Sequence, residues 1–178
     1  MADPIVTAEA QILKTVLKEV PKSMFGKKEL ERMVLRMSAS LRTAEHGVAI
    51  AANQIGINYR IFVVRGFVLE GKERSSENSV AFPDVAFINP KISKMARKKE
   101  LMNEACLSVP GFHGNIKRSP KATVKAFDTS GKKIERGGSG LLAEIFQHEC
   151  DHLDGMLYTE KAEEIFEVLK NEIEENSS

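Results

Sequence analysis

Two histidines and a glutamate lie close together near the end of the chain, in QHECDHLDG from Gln147 to Gly155. His148 and His152 are four residues apart, so on a helix their Cβ atoms lie about 6 Å apart, and both imidazoles can bind one metal ion. Glu149 lies one step around the same helix, where it can accept a proton from a metal-bound water without ligating the metal. The spacing predicts a metal site with a general base.

The segment that carries the histidine pair has the pattern of a helix. Leu141 and Ile145 fall on the same helical stripe as the two histidines, Ser139 is a candidate N-cap, and Gly155 is a candidate stop. Histidine pairs also occur by chance on exposed helices, so H-E-x-x-H alone is a moderate indication of a catalytic metal site. The apolar stripe strengthens it, because it places the histidines at the edge of a core.

Two imidazoles need a third ligand to make a stable metal site. One candidate is Cys106, in NEACLSVPG, because a thiolate with two imidazoles would leave a fourth position open for water. The competing candidate is Glu172, which a peptidase of the H-E-x-x-H class would supply from a following helix. The other cysteine, Cys150, points away from the two histidines on a helix and is expected to be a small buried apolar residue.

Composition indicates one globular domain over residues 1–178, with 42% hydrophobic and 29% charged residues. The 26 basic and 25 acidic side chains create no overall field that would attract nucleic acid or anionic lipid. No apolar run is long enough for a membrane span, and the N-terminus lacks the features of a secretory signal. Two cysteines suit a reducing compartment, so we expect a cytoplasmic protein with no membrane partner.

Hydrophobic periodicity predicts an α+β fold with antiparallel strands. An amphipathic helix is expected from Lys27 to Glu45, a polar surface loop from Leu69 to Asp84, and a peripheral C-terminal helix over 159–178. The predicted strands are YRIFVV, VAFINPKI, MARKKELM, ATVKAFD and KIER.

Three stretches match the motifs of one enzyme family. GVAIAANQ, EACLS and QHECDH occur in the order in which peptide deformylases carry G-x-G-x-A-A-x-Q, E-G-C-x-S and Q-H-E-x-D-H. Over about residues 27–158 the chain therefore resembles peptide deformylase. The resemblance implies antiparallel sheets packed around a central metal-binding helix. It also implies hydrolysis of the N-formyl group from the formylmethionine of nascent polypeptides, with release of formate.

The resemblance also implies the metal site. It makes Cys106, His148 and His152 the ligands of one divalent ion, Fe(II) in the cell and Zn(II) or Ni(II) after handling, whereas ligand softness alone would suggest zinc. The implied protein partner is an N-formylated nascent peptide, and transient association with the ribosome is a further expectation. No direct binding to nucleic acid is expected.

Catalytic roles follow for three further groups. The resemblance assigns both proton transfers to Glu149, from the attacking water and to the leaving amine. It assigns the stabilisation of negative charge on the formyl oxygen to the Gln54 amide and the backbone N–H of Leu107, together with the metal.

The peptide substrate of the family lies extended beside the first motif, as a neighbouring strand would. The matching positions here are Val48, Ala49 and Ala105. Leu141 and Ile145, with Val48, are expected to form the walls of an apolar pocket for the methionine side chain.

Four charged residues are expected near this site. Glu144 lies one helical turn before His148, and we expect it at the rim of the pocket, where it would disfavour acidic residues in the peptide. Glu104, Asp151 and Arg118 are expected to orient the metal ligands through charge-assisted hydrogen bonds.

The chain departs from the family pattern at three positions. Ala49 and Ala105 replace motif glycines, so each adds a methyl group where the peptide backbone approaches. Either both lie in the β region and only narrow the groove, or they alter substrate choice or weaken turnover. His113 stands where many members carry arginine, which puts a charged contact to the peptide in doubt.

Three functions are compatible with these residues. A deformylase is the leading interpretation, because three motifs in this order rarely coincide by chance. A metallopeptidase that uses Glu172 as a ligand is second, and a noncatalytic or weakly active peptide-binding descendant is third.

Overall fold

The computed structural model describes residues 1–168 of the chain. Four α-helices are present there: α1 (Lys28–Thr43), α2 (Gly66–Leu69), α3 (Ser76–Ala81) and α4 (Leu141–Leu153). None of the helices in these residues has the length and apolar character that crossing a membrane requires. The strands are β1 (Ala49–Ala51), β2 (Ile61–Val64), β3 (Val85–Met95), β4 (Glu100–Cys106), β5 (Val109–Arg118), β6 (Lys121–Phe127), β7 (Lys133–Ser139) and β8 (Glu164–Glu167).

The strands form two antiparallel sheets. The larger has the order β1-β2-β3-β6-β7, and the smaller has the order β4-β5-β8. Helix α4 contacts β1, β3, β6 and β7 of the larger sheet. This arrangement confirms the expected α+β fold, with antiparallel sheets around the helix that carries the histidine pair.

An aromatic cluster forms the centre of the core between α4 and the larger sheet. Phe62 of β2 and Phe87 of β3 are opposite each other in the strand register and stack with ring centroids 4.8 Å apart. Phe146, on the buried face of α4, meets the Phe87 ring edge-on at 5.6 Å. Because all three side chains are buried, they fix the helix against the sheet.

Helix α1 forms where its sequence pattern predicts it. Leu30, Met37 and Leu41 are fully buried, and Val34 packs against the same core. The periodic apolar stripe therefore covers the core while the opposite face of the helix stays exposed.

Of the two predictions for the ends of α4, the N-cap was wrong and the stop was confirmed. Ser139 is not the N-cap: it is the last residue of β7 and pairs with Lys121, and Gly140 takes the cap position with φ 54°. Gly155 does stop the helix, with φ 74°, and its N–H donates to the carbonyl of His152. The next N–H, of Met156, donates to an earlier carbonyl, which completes a left-handed glycine cap.

Two predictions in the middle of the chain were wrong in detail. The expected polar loop, Leu69 to Asp84, contains α3, because the Ser75 hydroxyl accepts the Asn78 N–H and caps this short helix. MARKKELM is not one strand: β3 ends at Met95 and β4 begins at Glu100. These two strands belong to different sheets, so the chain must change direction between them.

The predicted C-terminal helix is wrong where the structure describes it. Residues Glu164–Glu167 form β8, which pairs with β5 as the edge of the smaller sheet. Pairing with the edge of β5 outweighs local helix propensity, since it supplies backbone hydrogen bonds between the two strands. The rest of that prediction, over 169–178 and including Glu172, lies outside the described residues.

We predict that Phe146→Ala lowers the free energy of unfolding by about 3–5 kcal/mol, because it removes a fully buried ring between α4 and the sheet. Urea denaturation measures this loss. The control is Leu35→Ala on α1, where the leucine is 67% exposed and the change should stay within about 0.5 kcal/mol. Equal losses in both variants would contradict the assigned core.

Candidate metal centre and adjoining cavity

Three side chains from two elements come together as a candidate metal centre. Cys106, the last residue of β4, meets His148 and His152 of α4, and the ligand atoms all lie within 4.8 Å of one another. The Cys106 Sγ is 3.2 Å from the His152 Nε2, and the two imidazole centroids are 4.9 Å apart. One thiol and two imidazoles form a donor set that divalent transition metals accept.

The backbone places Cys106 at an irregularity in the smaller sheet. Ala105 pairs with His113, but Cys106 pairs with Val109, so the register shifts between these two residues of β4. Such an irregularity changes the direction of a side chain at the end of a strand. Here the Cys106 side chain is buried beside α4.

A buried ion pair orients the first histidine. Glu104 Oε2 is 2.9 Å from the His148 Nδ1, which leaves the Nε2 of this ring for a metal. Arg118 donates to both Glu104 oxygens, at 2.6 and 3.0 Å, and to Asp151 at 2.6 Å. Burial alone would raise the pKa of Glu104, but the bonds from His148 and Arg118 outweigh it and lower the pKa. Of the three residues expected to orient the metal ligands, only Glu104 contacts a candidate ligand, whereas Arg118 binds Glu104 and Asp151 binds Arg118.

The charges around the histidines favour a cation at this site. Burial alone would lower the pKa of His148, yet Cys106 and Glu104 outweigh burial and raise the pKa well above its usual value. Burial and the charge on His148 lower the pKa of His152 well below its usual value. A neutral imidazole is the form that ligates a metal, and a bound cation would compensate the negative groups. The residues present therefore fit a divalent ion.

Glu149 has a buried carboxyl group beside the candidate metal ligands, and one of its oxygens lacks a hydrogen-bond partner in the described residues. Its Oε2 has no hydrogen-bond partner within the described part of the chain. Burial raises the pKa of Glu149 to about 7. A carboxyl group with a pKa near neutrality and a free oxygen can both accept and donate a proton.

Gln54 presents its amide to the same site. It lies in a short 3-10 turn, Ala52–Ile55, and its Oε1 accepts the N–H of Ala51 at 2.8 Å. The Nε2 donates to the Ser108 Oγ at 3.1 Å and lies 3.6 Å from the Cys106 Sγ. The amide donors therefore point towards the candidate metal centre.

Sequence reasoning missed three residues that support the site. Ser108 holds the Gln54 amide, and the Asn53 Nδ2 donates to the carbonyl of His152 at 2.6 Å. The Tyr158 ring lies over His148 at 6.2 Å, and its hydroxyl donates to the carbonyl of Phe112. Asn53 and Ser108 lie within the quoted motifs and could have been weighed there. Tyr158 lies outside every motif, and only the fold brings it to the histidine.

A cavity of about 160 Å³ adjoins the candidate metal centre. Helix α4, the first motif and the end of β4 supply its walls. The lining includes all five residues predicted to contact the peptide and all three predicted to take part in catalysis. It also includes His46 and Gly47, which were not predicted to lie there. The complete lining is His46, Gly47, Val48, Ala49, Gln54, Ala105, Cys106, Leu107, Leu141, Glu144, Ile145, His148 and Glu149.

A larger groove of about 1070 Å³ lies elsewhere, beside β3, β6 and β7. Its lining includes Phe25 and Phe127 but none of the three candidate metal ligands. We place the chemistry in the smaller cavity, because only that one combines metal ligands with a buried carboxyl group.

The two motif alanines fit their backbone without strain. Ala49 lies in β1 and Ala105 in β4, and Asn89 is the only non-glycine residue with positive φ among residues 1–168. This supports the interpretation that alanine merely narrows the groove. The close approach is at Gly47 instead, where a Cβ would lie 2.9 Å from the Leu41 Cδ1.

Two further residues are placed as follows. His113 does not line the cavity: its Nδ1 lies 2.8 Å from the Asn103 Oδ1 on the smaller sheet. Cys150 is buried in the main core, and burial raises its pKa to about 12. That confirms the expectation of a small core residue that faces away from the histidines.

The fold and site define an α+β domain in which helix α4 carries two of three candidate metal ligands. A family model described as polypeptide deformylase matches residues 2–167. The chain therefore belongs to the polypeptide deformylase family.

Curated relatives agree with this assignment. Peptide deformylase 1A, chloroplastic/mitochondrial, of Arabidopsis thaliana is 35% identical over 162 residues, or 88% of this chain. The chain spans only 60% of that plant relative's length. A peptide deformylase of Desulforudis audaxviator is 33% identical over 164 residues, which cover 92% of this chain and 91% of the relative.

Solved structures share the fold. The class I type b peptide deformylase from Acinetobacter baumannii, with K1U bound, superposes with a TM-score of 0.79 at 28% identity. The match covers 90% of this chain and 99% of that one. The same Acinetobacter baumannii enzyme has also been solved with Met-ala-ser bound, and that structure superposes with a TM-score of 0.78.

We predict that Arg118→Leu lowers the free energy of unfolding by about 3–5 kcal/mol, because it removes the guanidinium that pairs with the buried Glu104 carboxylate. It should also weaken metal affinity about 10- to 100-fold, since Glu104 orients His148. Urea denaturation and metal titration measure the two effects.

The matched control is Lys117→Leu, one residue earlier on β5, where the ion pair with Glu163 is largely exposed. This substitution should lower the free energy of unfolding by less than about 1 kcal/mol and leave metal affinity unchanged. If Arg118→Leu behaved like this control, the ion pair would have no part in building the site.

Proposed function

We propose that this protein hydrolyses the N-formyl group of N-terminal formylmethionine in nascent polypeptides and releases formate. One observation carries the proposal: Cys106 joins the histidine pair beside Glu149, at a cavity with apolar walls. A metal held by Cys106, His148 and His152 would act as a Lewis acid towards the formyl carbonyl and the attacking water.

Glu149 performs the proton transfers in this proposal. Its free Oε2 accepts a proton from the water that attacks the formyl carbon. The C–N bond then breaks, and the same oxygen returns the proton to the leaving amine, so the products are formate and a free N-terminus. The raised pKa of Glu149, about 7, suits a group that must serve in both directions.

Gln54 and Leu107 stabilise the charge that develops during attack. The Gln54 Nε2 and the backbone N–H of Leu107 donate to the formyl oxygen as it becomes negative. Support comes from Ser108, which holds the Gln54 amide in the direction of the site before any substrate binds. A donor fixed in advance loses less free energy to reorientation in the transition state.

The peptide binds in the cavity beside β1 and β4. The extended peptide backbone lies beside Val48, Ala49 and Ala105. The methionine side chain contacts Leu141 and Ile145. The Acinetobacter baumannii enzyme, whose structure was solved with Met-ala-ser bound, supports a peptide that begins with methionine.

We further propose Fe(II) as the ion in the cell, with Zn(II) or Ni(II) able to replace it, because soft thiolate and imidazole donors accept all three. Metal analysis of protein purified without oxygen tests this identity. A cytoplasmic location and transient contact with the ribosome stay predictions, and cell fractionation with ribosome sedimentation would test both.

The two alternative functions make different demands on the chain. A metallopeptidase would need Glu172 as a ligand in place of Cys106. Cys106 already lies with the histidines, which supports the deformylase. A noncatalytic peptide binder would keep the metal and the cavity but release no formate.

We predict that Glu149→Ala reduces kcat for a formyl-methionyl peptide by about 10²–10⁴ with metal still bound, because it removes the proton acceptor but no ligand. Cys106→Ala should lose both metal and activity. Formate release and metal content measure these effects together.

Cys150→Ala and Glu172→Ala are the controls, and both should retain metal and most of the activity. Amide cleavage that survives Cys106→Ala but not Glu172→Ala would favour the peptidase. A fully metallated parent that releases no formate would favour the binding protein.

We predict that Gln54→Glu lowers kcat by about 10²–10³, because it replaces the Nε2 donor with an oxygen and retains the acceptor for Ala51. Steady-state kinetics show this, with metal content and unfolding measured alongside. The exposed Gln11→Glu serves as control and should change none of these quantities. Undiminished turnover in Gln54→Glu would exclude the amide from oxyanion stabilisation.

A further inference from the structure

The larger sheet carries a row of lysines on the face that is turned away from α4. Alternate residues of β6 are buried where α4 contacts it, so Lys121 and Lys125 project from the opposite, exposed face. Residues that are paired across strands project to the same side. The register therefore adds three lysines from β3 and β7 to this face, namely Lys91, Lys94 and Lys133.

The larger groove of about 1070 Å³ lies on this face, between the sheet and residues 19–25. Four lysines line it: Lys22, Lys91, Lys125 and Lys133. Two aromatic rings lie at the same groove, Phe25 from the N-terminal segment and Phe127 from β6, with centroids 5.6 Å apart. We call this site, with its four lysines and two rings, the lysine groove.

Carboxylates offset only part of this positive charge. Within residues 1–168, Lys91 pairs with Glu19 at 3.0 Å, and Lys125 is 3.7 Å from Glu135. Four further lysines take part in no ion pair in that part of the chain, and they are Lys22, Lys94, Lys121 and Lys133. The two paired lysines are directly opposite each other in the register, an arrangement that destabilises a sheet. A bound anion would relieve this repulsion.

The positive charge continues beyond the groove. Lys94 and Lys121 extend the row along β3 and β6, and the turn after β3 adds Arg97, Lys98 and Lys99. The net charge of the whole chain is only +1, but that sum includes every face. The expectation of no nucleic-acid binding rested on the sum, whereas a local field depends on where the charges lie.

We propose that the lysine groove binds single-stranded RNA, with the lysines at the phosphates and the two phenylalanine rings against bases. Lys121 and Lys125 lie about 13 Å apart along β6, so the row matches a chain of phosphates and is too long for one small anion. Aromatic rings in a positively charged groove are typical of proteins that bind single strands. A planar bilayer cannot enter such a groove.

Only the choice of RNA over DNA rests on the proposed function, since nascent polypeptides are synthesised on an RNA template. The binding itself needs no catalysis, because none of the three candidate metal ligands lines the lysine groove.

The test measures fluorescence anisotropy of a labelled oligouridylate of about twelve nucleotides at several salt concentrations. The parent should bind with Kd of about 10⁻⁶–10⁻⁴ M, and log K should fall linearly with log salt concentration. Lys133→Gln should weaken binding about fivefold at about 0.05 M salt and make this slope shallower by about 0.7, because one phosphate contact is lost.

The matched control is Lys72→Gln, which removes one positive charge from an exposed lysine that follows α2 and lies outside the groove. It should change neither the affinity nor the slope. A parent without an anisotropy change, or a Lys133→Gln slope equal to that of the parent, would overturn the proposal.

Phe25→Leu separates stacking from charge. It should weaken binding about fivefold or more and leave the salt slope unchanged, because a base on an aromatic ring releases no counterion. Urea denaturation shows whether this variant is folded. A folded Phe25→Leu variant with the affinity of the parent would overturn the contact between the ring and a base.

Two further measurements separate the competing explanations. Sedimentation with phosphatidylserine vesicles tests a membrane partner, and binding to vesicles without binding to RNA would overturn the proposal. Lys133→Gln should retain the parent's kcat/KM for formyl-Met-Ala-Ser amide. A parent that releases formate but does not bind RNA would refute the role of the groove alone. A parent that binds RNA but releases no formate would refute the catalysis alone.

Discussion

The buried pair of Glu104 and Arg118 is the interaction on which the site depends. Its carboxylate side chain is fully buried and contacts both the guanidinium from β5 and the His148 imidazole from α4. A charge there is stable only while both partners stay in place. The pair therefore joins the smaller sheet, which supplies Cys106, to the helix that supplies the histidines. The helix and the smaller sheet are therefore aligned by buried charge.

The larger sheet fixes the other side of the helix. Phe146 packs against the aromatic pair of β2 and β3, so the position of α4 is set by the core and not by the metal ligands. The first motif begins where the chain approaches α1 closely, since a Cβ at Gly47 would lie 2.9 Å from the Leu41 Cδ1. Its last residue, Gln54, then reaches Ser108 at the end of the smaller sheet. The donor and the ligands are thus brought together by two independent contacts.

The local sequence pattern predicted the structural features that depend on residues close to one another in the chain. The stop at Gly155 and the buried face of α1 follow from local sequence signals and were confirmed, whereas Leu141 of the expected α4 stripe is 53% exposed. The contact of Cys106 with the histidine pair joins distant segments, so ligand chemistry alone left Cys106 and Glu172 both open, and the family resemblance favoured Cys106. Tyr158 carried no local pattern at all, and β8 was mistaken for a helix because its pairing with β5 cannot be seen in composition. Ser139 failed as a cap for a related reason, since its backbone was already used in the β7 ladder.

One face of α4 carries two separable properties. Its last two turns hold the histidines and Glu149, whose neighbours are constrained by buried charge and by hydrogen bonds. Its first turn holds Leu141 and Glu144 at the cavity mouth, where no partner in the described chain restrains either side chain. Substitutions in the first turn can therefore change the shape and charge of the cavity without replacing a candidate metal ligand. Because Phe146 packs against Phe62 and Phe87, the middle of α4 is held by the core, and the histidines and Glu149 lie on the C-terminal side of that contact.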